Sequence, residues 1–218
     1  MRRREAELIG SKLEEFDFDC CVNLGSGDVV HQKKTKPWID QQIFSKLQIR
    51  GVDIIHADIS LGPDIDIIID LTCSTSVEKL NKFMGKRCFL LCNVLEHIPR
   101  TQVYAVLNNL NRVLTIGDVV VISVPRSYPY HADPIDSMFR PSPSELSSMI
   151  DLQWEMVEEV ITGNFFEDLA GMSPAKRVRK LLKPFWFFQR VSKYRECVSR
   201  LRYLVNDYMV SIVIGVKK

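Results

Sequence analysis

The chain has 218 residues, 46% hydrophobic and 26% charged, with a formal net charge of +2. A chain of this length buries on the order of 70% of its unfolded surface without staples, so one domain spanning residues 1–218 is expected. No apolar run approaches the roughly 20 residues of a membrane span, and the six cysteines lack paired metal spacing; reduced thiols and a cytoplasmic setting are expected.

Met1-Arg2-Arg3-Arg4-Glu5 is basic but leads into an amphipathic stretch rather than an apolar core. This predicts a helix near Glu5–Glu15 and no secretory signal. The run Cys20-Cys21-Val22-Asn23-Leu24 then breaks into Gly25-Ser26-Gly27-Asp28. A buried strand ending in glycines lets backbone N–H groups approach a ligand, because no Cβ atoms intervene. Further strands are predicted near Val52–Ala57, Ile65–Asp70, Cys88–Cys92 and Val119–Val124. Cys20, Cys21, Cys88 and Cys92 act in these runs as small hydrophobes. Helices are expected over Pro37–Leu47, Ser76–Met84 and Thr101–Leu114, the last from Val103, Val106, Leu107, Leu110, Val113 and Leu114 at helical spacing. Apolar runs alternating with amphipathic stretches predict a parallel sheet with helices on both faces. A long loop, Arg126–Pro143, precedes a helix over Ser144–Leu152 and strands near Trp154–Thr162 and Asp207–Val216.

Charge is unevenly spread. Residues 172–203 hold ten Lys or Arg and one acid, Glu196, for a charge of +9, leaving −7 on the rest. Interleaved aromatics make the stretch an amphipathic mixture. It reads as a solvated face balancing the acidic remainder, a dock on an anionic membrane surface, or a grip on a phosphorylated or lipid-linked acceptor. Nucleic-acid contact is the least favoured of these.

The ordered set Asn23-Leu24-Gly25-Ser26-Gly27, Asp58 and Asp70 after later strands, Asn93-Val94-Leu95-Glu96-His97-Ile98, and Val121-Ile122-Ser123-Val124-Pro125 resembles the class I S-adenosylmethionine-dependent methyltransferases, particularly members modifying small molecules and glycans. The resemblance spans roughly residues 18–148. It implies an α/β, Rossmann-like, seven-stranded, mostly parallel sheet with an antiparallel final strand, here with a basic helical insertion before that strand over 165–205. It implies S-adenosyl-L-methionine as cofactor, held by Asn23, Gly25, Ser26, Gly27, Asp58, Asp70, Leu71, Asn93 and Val94. Asp58 would take the ribose, with Asp53 and Asp40 as alternatives, and Asp70 the adenine amino group. Methyl transfer needs an aligned nucleophile and a proton acceptor, and imidazole suits the second task. His131 and His97 are the catalytic candidates; Glu96, Tyr128, Tyr130, Asp133 and Arg140 are assigned to the acceptor. No metal is expected, because the small-RNA 2′-O-methyltransferases that hold one, which this turn otherwise resembles, carry an acid where this chain has Asn93. The expected reaction is O-methylation of a small molecule or a surface sugar, with peripheral placement at the inner membrane face through residues 172–203. Two rivals are a scaffold of the same fold that has lost turnover and a nucleic-acid methyltransferase. A nicotinamide enzyme is disfavoured by the missing third glycine after Gly27.

Overall fold

The computed structural model describes the backbone of residues 1–131, 135–170, 172–186, 194 and 198–218, and the side chains of all of these except 183–186. Asp133 and much of the basic stretch, including Arg190, Lys193 and Arg195, lie outside the described residues.

The elements follow in chain order: α1 (Arg3–Leu13), β1 (Cys20–Leu24), α2 (Val29–Thr35), α3 (Pro37–Ile39), α4 (Ser45–Ile49), β2 (Asp53–Asp58), β3 (Ile67–Ile68), α5 (Ser74–Val77), β4 (Arg87–Cys92), α6 (Arg100–Val113), β5 (Val119–Ser127), α7 (Pro143–Ser147), β6 (Gln153–Asn164), α8 (Phe165–Ala170), α9 (Pro174–Trp186) and β7 (Asp207–Val216). A π-helical turn, Asp40–Phe44, joins α3 to α4. The seven strands form one sheet in the order β3-β2-β1-β4-β5-β7-β6. β1 to β5 run parallel, and β7 lies antiparallel between β5 and β6. The reversed last strand agrees with the expected architecture.

Period-2 alternation explains the layering. Val22, Leu24, Phe89, Leu91, Val120 and Ile122 pack on one face against Val103, Val106, Leu107 and Leu110 of α6. Cys21, Cys88, Leu90, Val119 and Val121 pack on the other against Ala6, Ile9 and Leu13 of α1 and Ile43 and Leu47 near α4. A third, small cluster of Phe165, Leu169 and Tyr208 ties α8 to β7. Chain order reverses between β1 and β4, from which the sheet grows in opposite directions. In open α/β sheets that switch point opens a crevice beyond the strand carboxyl ends.

Three expectations shift. The strand foreseen over Ile65–Asp70 shortens to two residues, because the Asp66 carboxylate turns back to accept from His56 N at 2.7 Å. The helix foreseen over Ser144–Leu152 stops at Ser147, where Ser147 Oγ and Ser148 Oγ donate to the carbonyls of Ser144 and Glu145 and compete with the helical ladder. The region Ser76–Met84 forms one α turn followed by a 3₁₀ segment, Glu78–Lys82.

Candidate functional site

A cleft of about 990 Å³ opens at the carboxyl edge of β1, β2 and β4. Its floor is the turn after β1. Gly25 and Gly27 adopt φ of +67° and +63°, left-handed values that suit glycine. A Cβ on Gly25 would also stand 2.6 Å from Val94 Cγ2, so the β1 and β4 turns touch there. The N–H groups of this turn do not face outward as the sequence suggested. Those of Gly25 and Ser26 donate to Ala57 O at 2.8 and 3.1 Å, and that of Gly27 donates to Asp58 Oδ2 at 2.8 Å. The turn is therefore pinned to the end of β2, and only at Gly27 does its Cα edge stand open, with nothing within 4 Å of a Cβ. Asp28 caps α2 by accepting from His31 N.

Along the same rim the structure brings together Asn23, Gly25, Ser26, Gly27, Asp58, Asp70, Leu71, Asn93 and Val94. Asp58 keeps Oδ1 on Ser60 N at 3.0 Å, and Asp70 folds onto Thr72 through N and Oγ1 at 2.9 and 2.6 Å. Asp53 starts β2 opposite Cys20, at the far end of the strand, and Asp40 is bonded to Ser45 Oγ; neither lines the cleft. Asn23 Nδ2 donates to His56 Nδ1 at 3.2 Å, and burial holds the His56 pKa below its ordinary value.

Beyond Asn93 the rim turns acidic and aromatic. Glu96 is wholly buried, and neither carboxylate oxygen has a hydrogen-bond partner in the structure. Burial pushes its pKa up to about 7. Its Oε1 lies 3.8 Å from His97 Nε2, and the His97 and His131 rings meet edge to face at 5.1 Å. His97 Nδ1 lies 2.6 Å from Ile135 O, and His131 Nδ1 lies 3.3 Å from Pro129 O and 3.4 Å from Asp136 Oδ2. Carbonyl oxygens accept only, so in the neutral rings the proton sits on Nδ1 and each Nε2 carries a lone pair. Glu96, His97 and His131 thus present acceptor atoms within 4.8 Å of one another. The sequence predicted no metal here; the residue types are nonetheless ones a divalent cation uses. Burial depresses the His131 pKa, with Asp136 opposing and His97 reinforcing the shift.

Tyr128 also lines the cleft and packs on His131 at 5.3 Å. Tyr130 and Arg140, assigned to the acceptor from sequence, are outside the lining. Arg140 is instead spent on the loop, donating to Asp136 Oδ2 at 2.7 Å and to Phe139 O at 3.1 Å.

Sequence reasoning missed the roof. Met1, Arg2, Arg3, Arg4 and Glu5 line the cleft from above. Glu5 is buried, and its Oε1 accepts from Asn93 Nδ2 and Ser123 Oγ, both at 2.7 Å. The guanidinium of Arg2 donates to Thr162 O and Asp168 Oδ1 and sits 4.6 Å above the Tyr208 ring. The only sequence signal was an acid closing a run of three arginines.

Neither a scan of protein-family models nor a search of curated proteins finds a match. Solved structures do. Coclaurine N-methyltransferase bound to N-methylheliamine and SAH is 14% identical, with a TM-score of 0.55 over 98% of this chain and 72% of that one. A SAM-dependent methyltransferase from Archaeoglobus fulgidus is 13% identical, with a TM-score of 0.51 over 97% and 94%. The MccD protein is 12% identical, with a TM-score of 0.52 over 99% of each chain. Strand order, the reversed β7 and these neighbours agree that the chain has the fold of the class I S-adenosylmethionine-dependent methyltransferases.

Proposed function

We propose that this chain is an S-adenosyl-L-methionine-dependent methyltransferase acting on an oxygen of a small molecule or sugar. The observation that carries the reading is the single cleft in which the glycine turn after β1 and the turn bearing Glu96 lie in contact through Gly25 and Val94. The residues fit an adenosyl group: the open Cα edge at Gly27 would leave room for it, Asp58 would take the ribose hydroxyls, and Asp70 with Leu71 would meet the adenine. Bound there, the cofactor supplies a methyl carbon activated by a sulfonium.

The chain's own groups would prepare the acceptor. His97 directs an unprotonated Nε2 toward Glu96, and His131 stands beside them, so a hydroxyl entering the cluster would meet several acceptors. The proton it gives up would rest on His131 Nε2 or on Glu96, whose pKa near 7 suits exchange at neutral pH. Tyr128 would wall the acceptor's side, and the first turn of α1 lines the same cleft. Coclaurine N-methyltransferase acts on nitrogen, and a protonated amine would also satisfy Glu96, so amines belong in the acceptor panel beside alcohols.

Titration calorimetry with S-adenosylhomocysteine tests the reading first. Wild type is expected to bind, Gly25→Val to lose binding through the collision with Val94, and His131→Ala to keep binding while turnover drops by about 10²-fold or more. Absence of binding by wild type would discard the proposal. Binding without transfer to any alcohol, amine or extract component would leave a scaffold of this fold.

A further inference from the structure

We propose that the outward face of α9 docks the protein on an anionic lipid surface. Leu181 packs onto the Phe165–Leu169–Tyr208 cluster, and Lys180 Nζ lies 5.1 Å from the Phe165 ring centre. These two contacts define the inward side of the helix. At about 100° per residue, Val178, Leu182 and Ala175 lie about 60°, 100° and 120° round the helix from Leu181 on the side away from Lys180, so they form one stripe that starts beside the inward side and turns outward. There Val178 is 56% and Leu182 44% exposed.

Their neighbours are cationic. Lys176 and Arg179 stand exposed along the flank of this stripe, and no acid occurs between Met172 and Leu182. Arg177 is anchored to Ala170 O and Met172 O at 2.7 and 2.8 Å, which fixes the start of α9 against the end of α8. An aliphatic stripe edged by Lys and Arg matches a lipid interface: methyl groups enter the acyl boundary while cations meet headgroup phosphates. Nucleic acid would use the cations and leave Val178 and Leu182 facing water. No helix among the described residues is long and apolar enough to cross a bilayer, so the helix would lie on it. Phe166 on α8 is also exposed, and its chain neighbours Glu167 and Asp168 line the cleft. Docking would therefore bring the mouth of the cleft near the membrane.

Co-sedimentation of the full chain with vesicles tests this independently of methyl transfer. Vesicles in which a third of the lipid is phosphatidylglycerol are expected to bind at least about tenfold more tightly than pure phosphatidylcholine, with release at about 0.5 M salt. Replacing Lys176→Gln and Arg179→Gln together should weaken binding about thirtyfold. Val178→Ser with Leu182→Ser should weaken it about tenfold. Both pairs should keep the wild-type circular dichroism. Equal binding to neutral and anionic vesicles, indifference to both pairs, or displacement of vesicles by single-stranded RNA would overturn the proposal. Vesicle binding without S-adenosylhomocysteine binding would remove the proposed function and leave docking intact.

Discussion

Glu96 is the residue whose situation is most unusual: a carboxyl with no exposure and no hydrogen-bond donor. Its folded pKa, about 7, stands above the ordinary 4.5, so the fold disfavours its ionised form. The stability associated with the neutral acid is present below 4.5 and is lost as the pH rises from there to about 7. Glu96→Gln should therefore raise the melting temperature at pH 8, by an amount corresponding to at most about 3 kcal/mol, with the gap closing toward pH 4.5; thermal scans at both ends check it. An unchanged gap across that range would mean the carboxyl finds a partner in solution. Treatment with a chelator should leave turnover unchanged, since the cluster is assigned to proton acceptance. Loss of turnover restored by one divalent cation would reassign Glu96, His97 and His131. Residues at strand ends, such as Asp58, Asp70 and Val94, were legible because an apolar run followed by a polar break marks where a strand meets the rim. Arg2 and Glu5 were not, because their partners Asp168, Asn93 and Ser123 lie far along the chain and are joined to them only by packing. Arg140 likewise pairs with the nearby Asp136, a contact that the spacing of the sequence does not announce.

Among the elements, β4 and β5 are joined at their base by a buried ion pair. Arg87 donates to Asp118 through Nε and a terminal nitrogen and also to Val113 O, while Asp118 accepts from Thr115 N. Both side chains are almost fully buried, at 3% and 0% exposure. Removing one partner leaves an uncompensated buried charge, so Asp118→Ala should cost about 3–5 kcal/mol in denaturant unfolding. Because the pair sits at the opposite end of the strands from the cleft, the folded fraction should keep its affinity for S-adenosylhomocysteine. The strands were the most legible elements: β1, β4 and β7 stand within a residue of expectation, since short, mostly apolar runs that end in polar or glycine breaks admit few other readings. α2 was not foreseen. Val29 is its single buried residue, so Val29–Thr35 carries no apolar stripe from which a helix could be read. Short edge elements such as β3 depend on the neighbour they pair with, which local pattern does not contain.

For the molecule as a whole, α1 acts as a clasp between distant parts. Its first turn reaches β4 and β5 through Glu5, and β6 and α8 through Arg2. The Arg2–Asp168 pair is partly exposed, so its direct worth is small, about 1 kcal/mol. Its larger effect is on the roof of the cleft. Arg2→Ala should speed amide exchange in the first turn of α1 and in α8 while leaving β1 and β4 protected, which exchange mass spectrometry resolves. Equal exchange in mutant and wild type would show that the clasp is held by Glu5 alone.

The placement of β7 between β5 and β6 also governs how the chain must be made. Until Asp207–Val216 emerges from the ribosome, β6 has no neighbour, and one side of β5 presents a row of unpaired amides and carbonyls to other nascent chains. Assembly of the sheet thus waits on the final strand, a long-range closure that favours slow acquisition of structure and a dependence on chaperones during synthesis.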